Sequence, residues 1–170
     1  LALVHGETKD SGTIDAPLGR SPRDRVRYTV VEEGKNAVTH WRRLAVGTHG
    51  VAGDARGGRV SLVECKLETG RTHQIRVHMR HIGHPIVGDP LYAAKRKLPS
   101  SISASTDLDH QLLHAARLGF EHPDTGETMR FGSPPPEDYQ RILAQLEIDF
   151  TLDVFVFSFD FSLPKFNYCL

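Results

Sequence analysis

Cysteine is scarce in this chain, and net charge is missing altogether. Cys65 and Cys169 are the only two cysteines in 170 residues. Two such distant residues exclude the dense disulfide framework of a small secreted domain; free thiols in a reducing compartment are the expectation. Lys and Arg number 21, and so do Asp and Glu, so overall electrostatics do not announce a nucleic-acid binder. No apolar run is long enough to cross a bilayer. The longest, from Phe150 to Leu163, contains Asp153 and Asp160 and falls short of the roughly 20 residues a spanning helix needs. Internal repeats and a signal-peptide pattern are also lacking. The chain opens Leu1-Ala2-Leu3-Val4 with no initiator Met, and an apolar strand-like run at residue 1 leads us to expect a true start upstream. A cytoplasmic protein without membrane contact is expected.

What is present is unevenly distributed. Residues 147–170 hold four acids, one base and six of the eight phenylalanines. Residues 1–146 therefore have a mild excess of bases, clustered at Arg20 to Arg27 and at Arg71 to Lys97. A local basic face can contact phosphate without a basic isoelectric point. The abrupt change of composition divides the chain into a domain, 1–146, and a Phe-rich tail, 147–170, foreign to the domain's pattern. With Phe155, Phe157, Phe159 and Phe161 on one strand face, the tail is aggregation-prone if uncovered.

Hydrophobic periodicity places the elements. Leu1 to His5 reads as a buried strand, followed by a short extended piece from Gly12 to Pro17. Residues 18–27 form a basic loop whose Gly and Pro break regular structure. Strands follow at Val26 to Val31 and Ala37 to Val46, joined by a turn at Glu32 to Lys35. Residues 47–58, with five glycines, form a connection. In Arg59 to Glu68, Val63, Cys65 and Leu67 alternate with Glu64 and Lys66 as in a half-buried strand. A helix begins after Thr72 as N-cap, with Ile75, Met79 and Ile82 on one face and Gly83 past its end. Arg76 and Arg80 share the adjacent face. Residues 99–109 are a Ser-rich loop, and Gln111 to Glu121 is ambiguous. A turn at 122–126 precedes a strand at 127–131, and a helix spans Glu137 to Leu146. Strands with two late helices predict an α+β fold on a mixed, largely antiparallel sheet.

The run from Leu67 to Tyr92, containing Gly70-Arg-Thr-His-Gln-Ile-Arg76 and Gly88-Asp-Pro-Leu-Tyr92, resembles the last catalytic motif of the RluA/RluD family of pseudouridine synthases. Leu1 to Gly6 with Gly12 to Arg20, Gly34 to His40, and Leu113 to Glu127 resemble the same family in the same order. The likeness covers residues 1 to about 146 and is nearest the RluD type, which modifies large-subunit ribosomal RNA. It implies the pseudouridine synthase catalytic fold, in part, and an isomerase that flips a uridine out of its stack. The base is detached at N1–C1′, rotated and rejoined through C5, with no metal and no organic cofactor. An aspartate of a His-Arg-Leu-Asp-type motif initiates the reaction in that family. No such motif occurs in these 170 residues, so the chain by itself is expected to be inactive.

The resemblance gives Arg76 the role of salt-bridge partner to that missing aspartate. With the aspartate absent, Arg76 is expected to be an unpaired cation beside a cleft, touched by water or by a substitute acid. Leu67, Arg71, Ile75 and Arg80 are the candidate substrate-binding residues, and Arg20, Arg23, Arg25 and Arg27 the candidate RNA contacts. A monomer acting on RNA is expected. Three other readings compete. His73, His78, His81 and His84 crowd the helix, yet no Cys or carboxylate at ligand spacing joins them, so no metal site is assigned. An RNA-binding module without catalysis is the literal expectation for the chain alone. A hydrolase lacks a serine or cysteine in an elbow-like context, and Cys65 lies within a strand. Loss of upstream strands is expected to leave sheet edges unpaired and the chain less stable than a whole domain.

Overall fold

The computed structural model describes residues 1–49, 58–93 and 108–149. The Phe-rich segment from residue 150 on, Cys169, residues 50–57 of the glycine-rich connection and residues 99–107 of the Ser-rich loop lie outside the described residues.

A four-stranded antiparallel sheet, ordered β1-β6-β5-β2, is the centre of the fold. Its strands are β1 (Ala2–His5), β2 (Ser11–Asp15), β5 (Val38–His49) and β6 (Gly58–Leu67). β5 and β6 are the long members, paired from Thr39 against Leu67 to His49 against Gly58, with a bulge between Arg43 and Ala45. Two hairpins flank the sheet. β3 (Leu18–Arg20) pairs with β4 (Tyr28–Val30), and β7 (Arg117–Glu121) pairs with β8 (Thr128–Gly132). Helices α1 (Gln74–His81) and α2 (Glu137–Gln145) complete the α+β architecture.

The helices belong to opposite apolar clusters of the sheet. Met79 of α1 clusters with Val4, Ile14, Trp41, Val63 and Ile86, while Ile142, Leu143 and Leu146 from α2 and its end cluster with Leu3, Val60, Leu62, Val87 and Leu112. β1 and the first half of β6 are thus covered on both faces. For that reason residues 60–63 are buried without interruption. Gly47 permits the α2 contact, since a Cβ there would lie 2.8 Å from Ile148 and from the Leu146 carbonyl oxygen.

Three expectations are corrected. The basic loop is shorter than 18–27, because Leu18 to Arg20 pair with Tyr28 to Val30 and only residues 21–27 loop out. The cap of α1 is His73, not Thr72; it adopts a left-handed conformation with φ 57° and offers no side-chain cap bond. The outer edge of β1 is not bare. Leu3 N–H donates to Leu112 O at 3.0 Å, Val87 N–H to Leu3 O at 2.9 Å, and His5 N–H to Pro85 O at 3.0 Å. The chain covers that edge with its own later segments.

Candidate active site

Helix α1 buries polar side chains. Gln74, Arg76 and His78 are all buried along with Val77 and Met79, and each polar group has a directed partner. Gln74 Oε1 accepts from Thr69 Oγ1 at 2.8 Å and from the Arg71 N–H at 2.9 Å. Its Nε2 donates to Val38 O and to Thr39 Oγ1, both at 3.0 Å. Thr69 Oγ1 in turn accepts from the Val38 N–H at 3.0 Å. His78 Nε2 lies 2.9 Å from the Ala16 carbonyl, which can only accept, so Nε2 carries the proton and donates. Its Nδ1 then accepts from the Thr39 hydroxyl at 2.8 Å. Burial holds His78 below its ordinary imidazole value, in keeping with a neutral ring. The network locks α1 to β5 and to the segment before β3, and so fixes where Arg76 stands.

Arg76 is 8% exposed. Its Nε and Nη2 donate to Asp89 Oδ2 and Oδ1, each at 2.8 Å. Asp89 has a fully buried carboxylate whose Oδ1 also accepts the N–H groups of Leu91 and Tyr92 at 2.9 Å. Burial pushes the Asp89 carboxyl up, but the Arg76 fork and the two backbone donors outweigh it and hold the group below the usual carboxylate value. The Asp89 bond in turn raises Arg76. Of the two expected contacts, water or a substitute acid, the structure shows the acid, and it corrects the picture of an unpaired Arg76: the acid is supplied by this chain, thirteen residues downstream. The pairing uses one edge of the guanidinium. Nη1 has no partner among the described residues and is not buried.

Tyr92 joins this pair to the basic hairpin. Its ring lies under two guanidinium carbons, Arg76 at 5.0 Å and Arg80 at 6.0 Å from the centroid. Its hydroxyl accepts from the Tyr28 N–H at 3.0 Å and lies 2.9 Å from His73 Nδ1. His73 stands edge-on to both Tyr28 and Tyr92, with centroids at 5.9 and 5.6 Å, and Arg20 lies over the Tyr28 ring at 5.6 Å.

Of the predicted site residues, the structure thus gathers Arg76, Arg80 and Arg20 around one aromatic cluster. Arg71 is exposed beside it, its Nε bonded to Asn36 O at 3.0 Å. Ile75 packs partly buried in the α1 cluster, and Leu67 is half-buried at the end of β6. Arg27 is ion-paired with Asp24 at 3.0 Å, and Arg20 Nη1 bonds Arg25 O at 3.0 Å. Arg23 and Arg25 are exposed in the 21–27 loop. Cys65 is a free thiol that burial pushes up to about 11, which removes it from nucleophilic chemistry near neutral pH. Sequence reasoning did not single out Asp89, Tyr92 or Tyr28. Asp89 and Tyr92 lie within the run that carries the resemblance, and Asp89-Pro90 after Gly88 is in addition a turn-forming sequence whose Asp caps its own backbone.

The model of the family described as RNA pseudouridylate synthase matches residues 1–81. Over those residues the chain resembles that family. The chain is 49% identical over 146 residues to an RNA pseudouridine synthase of Chloroflexus aurantiacus, covering 86% of the chain and 41% of that protein. It is 44% identical over 155 residues to the ribosomal large subunit pseudouridine synthase D of Xanthomonas campestris, covering 88% of the chain and 44% of that protein. Among solved structures, human RNA pseudouridylate synthase domain containing 1 matches with a TM-score of 0.60 at 29% identity, over 78% of this chain and 52% of that one. The chain thus spans less than half the length of these curated relatives.

Proposed function

We propose that this chain serves the isomerisation of uridine to pseudouridine in RNA, with large-subunit ribosomal RNA as substrate. The observation that carries this reading is the half-used guanidinium of Arg76. Asp89 takes the Nε–Nη2 edge and leaves the outward Nη1–Nη2 edge open to a second carboxylate. An aspartate of the His-Arg-Leu-Asp type, seated on that edge, would stay ionised beside a fixed cation, as the initiating group of the rearrangement must. The product is an isomer of the substrate, so the proton lost from C5 when the C1′–C5 bond forms is balanced by one gained at N1. Arg76 takes no proton; it positions and keeps charged the acid that acts. Flipping the uridine costs a few kcal/mol, which pocket contacts and phosphate contacts from Arg20, Arg23, Arg25, Arg71 and Arg80 offset.

The names of the relatives, among them a ribosomal large subunit enzyme, support the choice of RNA. We place the activity in the cytoplasm, as a monomer without metal or organic cofactor. The test has two arms. The 170-residue chain, incubated with uridine-containing ribosomal RNA, should bind it and yield no pseudouridine; turnover would overturn the assignment of the initiating aspartate to a motif this chain lacks. Fusing a segment with a His-Arg-Leu-Asp-type motif ahead of Leu1 should restore product, and Arg76→Lys in the fusion should abolish it. A fusion that works equally well with that substitution defeats the reading, since lysine cannot serve two carboxylates in one plane.

A further inference from the structure

His73 is the residue of this cluster that the proposed chemistry does not use, and its state can be worked out. The Tyr92 hydroxyl accepts the Tyr28 N–H, so its own proton is free to be donated, and the group within reach is His73 Nδ1 at 2.9 Å. Nδ1 is then an acceptor, and the proton of the neutral ring sits on Nε2. Nε2 has no partner among the described residues and is not buried. The ring is held at a cost. His73 adopts φ 57°, which a non-glycine residue rarely takes, and two tyrosine edges fix its plane. Around it stand the open Nη1 of Arg76 and the exposed Arg80 guanidinium, both tied to the Tyr92 ring.

We infer that His73 is an RNA-contacting residue, its Nε2–H donating to a backbone phosphate oxygen that Arg80 also engages; this rests on the RNA reading above. His73 Nε2 and the Arg80 guanidinium present N–H and no acceptor, so the ligand atom must be an acceptor, and the adjacent cations favour an anionic one. Burial and the neighbouring Arg76 keep the imidazole below its usual value, so it works as a neutral donor rather than as a charge.

The neutral donor gives a distinctive test. His73→Asn keeps an acceptor where Nδ1 meets Tyr92 and tolerates the left-handed backbone, but has no atom at the Nε2 position. Binding of a ribosomal RNA stem-loop with a uridine-bearing loop should weaken about tenfold in H73N with an unchanged melting temperature, as for a lost bond to a charged acceptor. The slope of log K against log salt should stay the same, because no counterion-releasing charge has been removed. Arg80→Gln should lower that slope by about 0.7, the single-strand value per phosphate. In the wild-type protein, ¹⁵N spectra should show His73 protonated at Nε2 alone, and RNA should shift that nitrogen. H73N binding with wild-type affinity, an altered salt slope in H73N, or an Nε2 signal unmoved at saturation would each overturn the inference. A wild-type chain with no affinity for the RNA would overturn the RNA reading with it, whereas wild-type binding matched by H73N defeats the histidine alone.

Discussion

Helices α1 and α2 are nearly equal in length, yet they bury opposite kinds of surface. α2 presents Tyr139, Ile142 and Leu143 to an apolar cluster on one side of the sheet. α1 gives its buried positions to Gln74, Arg76 and His78 as well as Val77 and Met79. Apolar burial is the easier way to attach a helix, since an ion pair or a polar network taken from water roughly breaks even against a well-packed apolar replacement. The polar attachment of α1 therefore needs another reason, and orientation supplies it. Dispersion and apolar area hold α2 without fixing any one atom, whereas the Thr69–Gln74–Thr39–His78 chain and the Arg76–Asp89 fork fix a guanidinium edge in space.

The comparison breaks most sharply at Asp89. Asp89→Asn keeps an oxygen for the Leu91 and Tyr92 N–H groups but takes the charge and one acceptor from Arg76, so it isolates the pair. Leaving a buried cation without its partner should cost about 3–5 kcal/mol in denaturant unfolding. The sign with pH follows from the lowered Asp89 carboxyl. Its contribution is complete above the unfolded value of about 3.9 and is lost as pH falls below that toward the folded value; D89N should lack this acid limb. On the other helix, Ile142→Ala should cost about 2–5 kcal/mol through a cavity at a fully buried site. I142A should leave RNA affinity per folded molecule unchanged, while D89N should lower it. Equal losses of RNA affinity in the two folded variants would erase the distinction between the helices.

The parts of the fold that sequence makes legible are those decided locally. β5, β6, α1 and α2 follow from period and breakers, and Gly83 ends α1 in the left-handed conformation expected of it, with φ +89°. β3 is not legible, because Pro17 and Gly19 look like loop residues until Tyr28 to Val30 return to pair with them. The burial of residues 60–63 depends on α2, which arrives some seventy residues later. Arg76 could be singled out only through the resemblance of its surrounding run to a known family. Its partner could not, because the turn that aims Asp89 back at α1 is a tertiary arrangement with no periodic signature. The αL cap at His73 was hidden for a related reason: Thr72 is the better N-cap by preference, and the hydrogen bond to Tyr92 overrides it.

The smallest of these effects sharpens the comparison further. Thr39 is fully buried and stands between the two halves of the α1 network, accepting from Gln74 Nε2 and donating to His78 Nδ1. Thr39→Val keeps the volume and β-branching that suit β5 and removes only the hydroxyl. Gln74 Nε2 retains its bond to Val38 O, so the main loss is the acceptor lone pair of His78 left without a donor, for about 1–3 kcal/mol. His78 adds a pH signature. Its folded value lies below the unfolded one of about 6.5, so its contribution is full above that pH, and stability falls as pH drops because the unfolded chain takes the proton first. Measured from neutral pH down through the histidine range, both wild type and T39V should lose stability toward acid, with T39V lower throughout. A T39V protein as stable as wild type would mean that the bonds around α1 hold nothing in place, and α1 would then be an ordinary packed helix like α2.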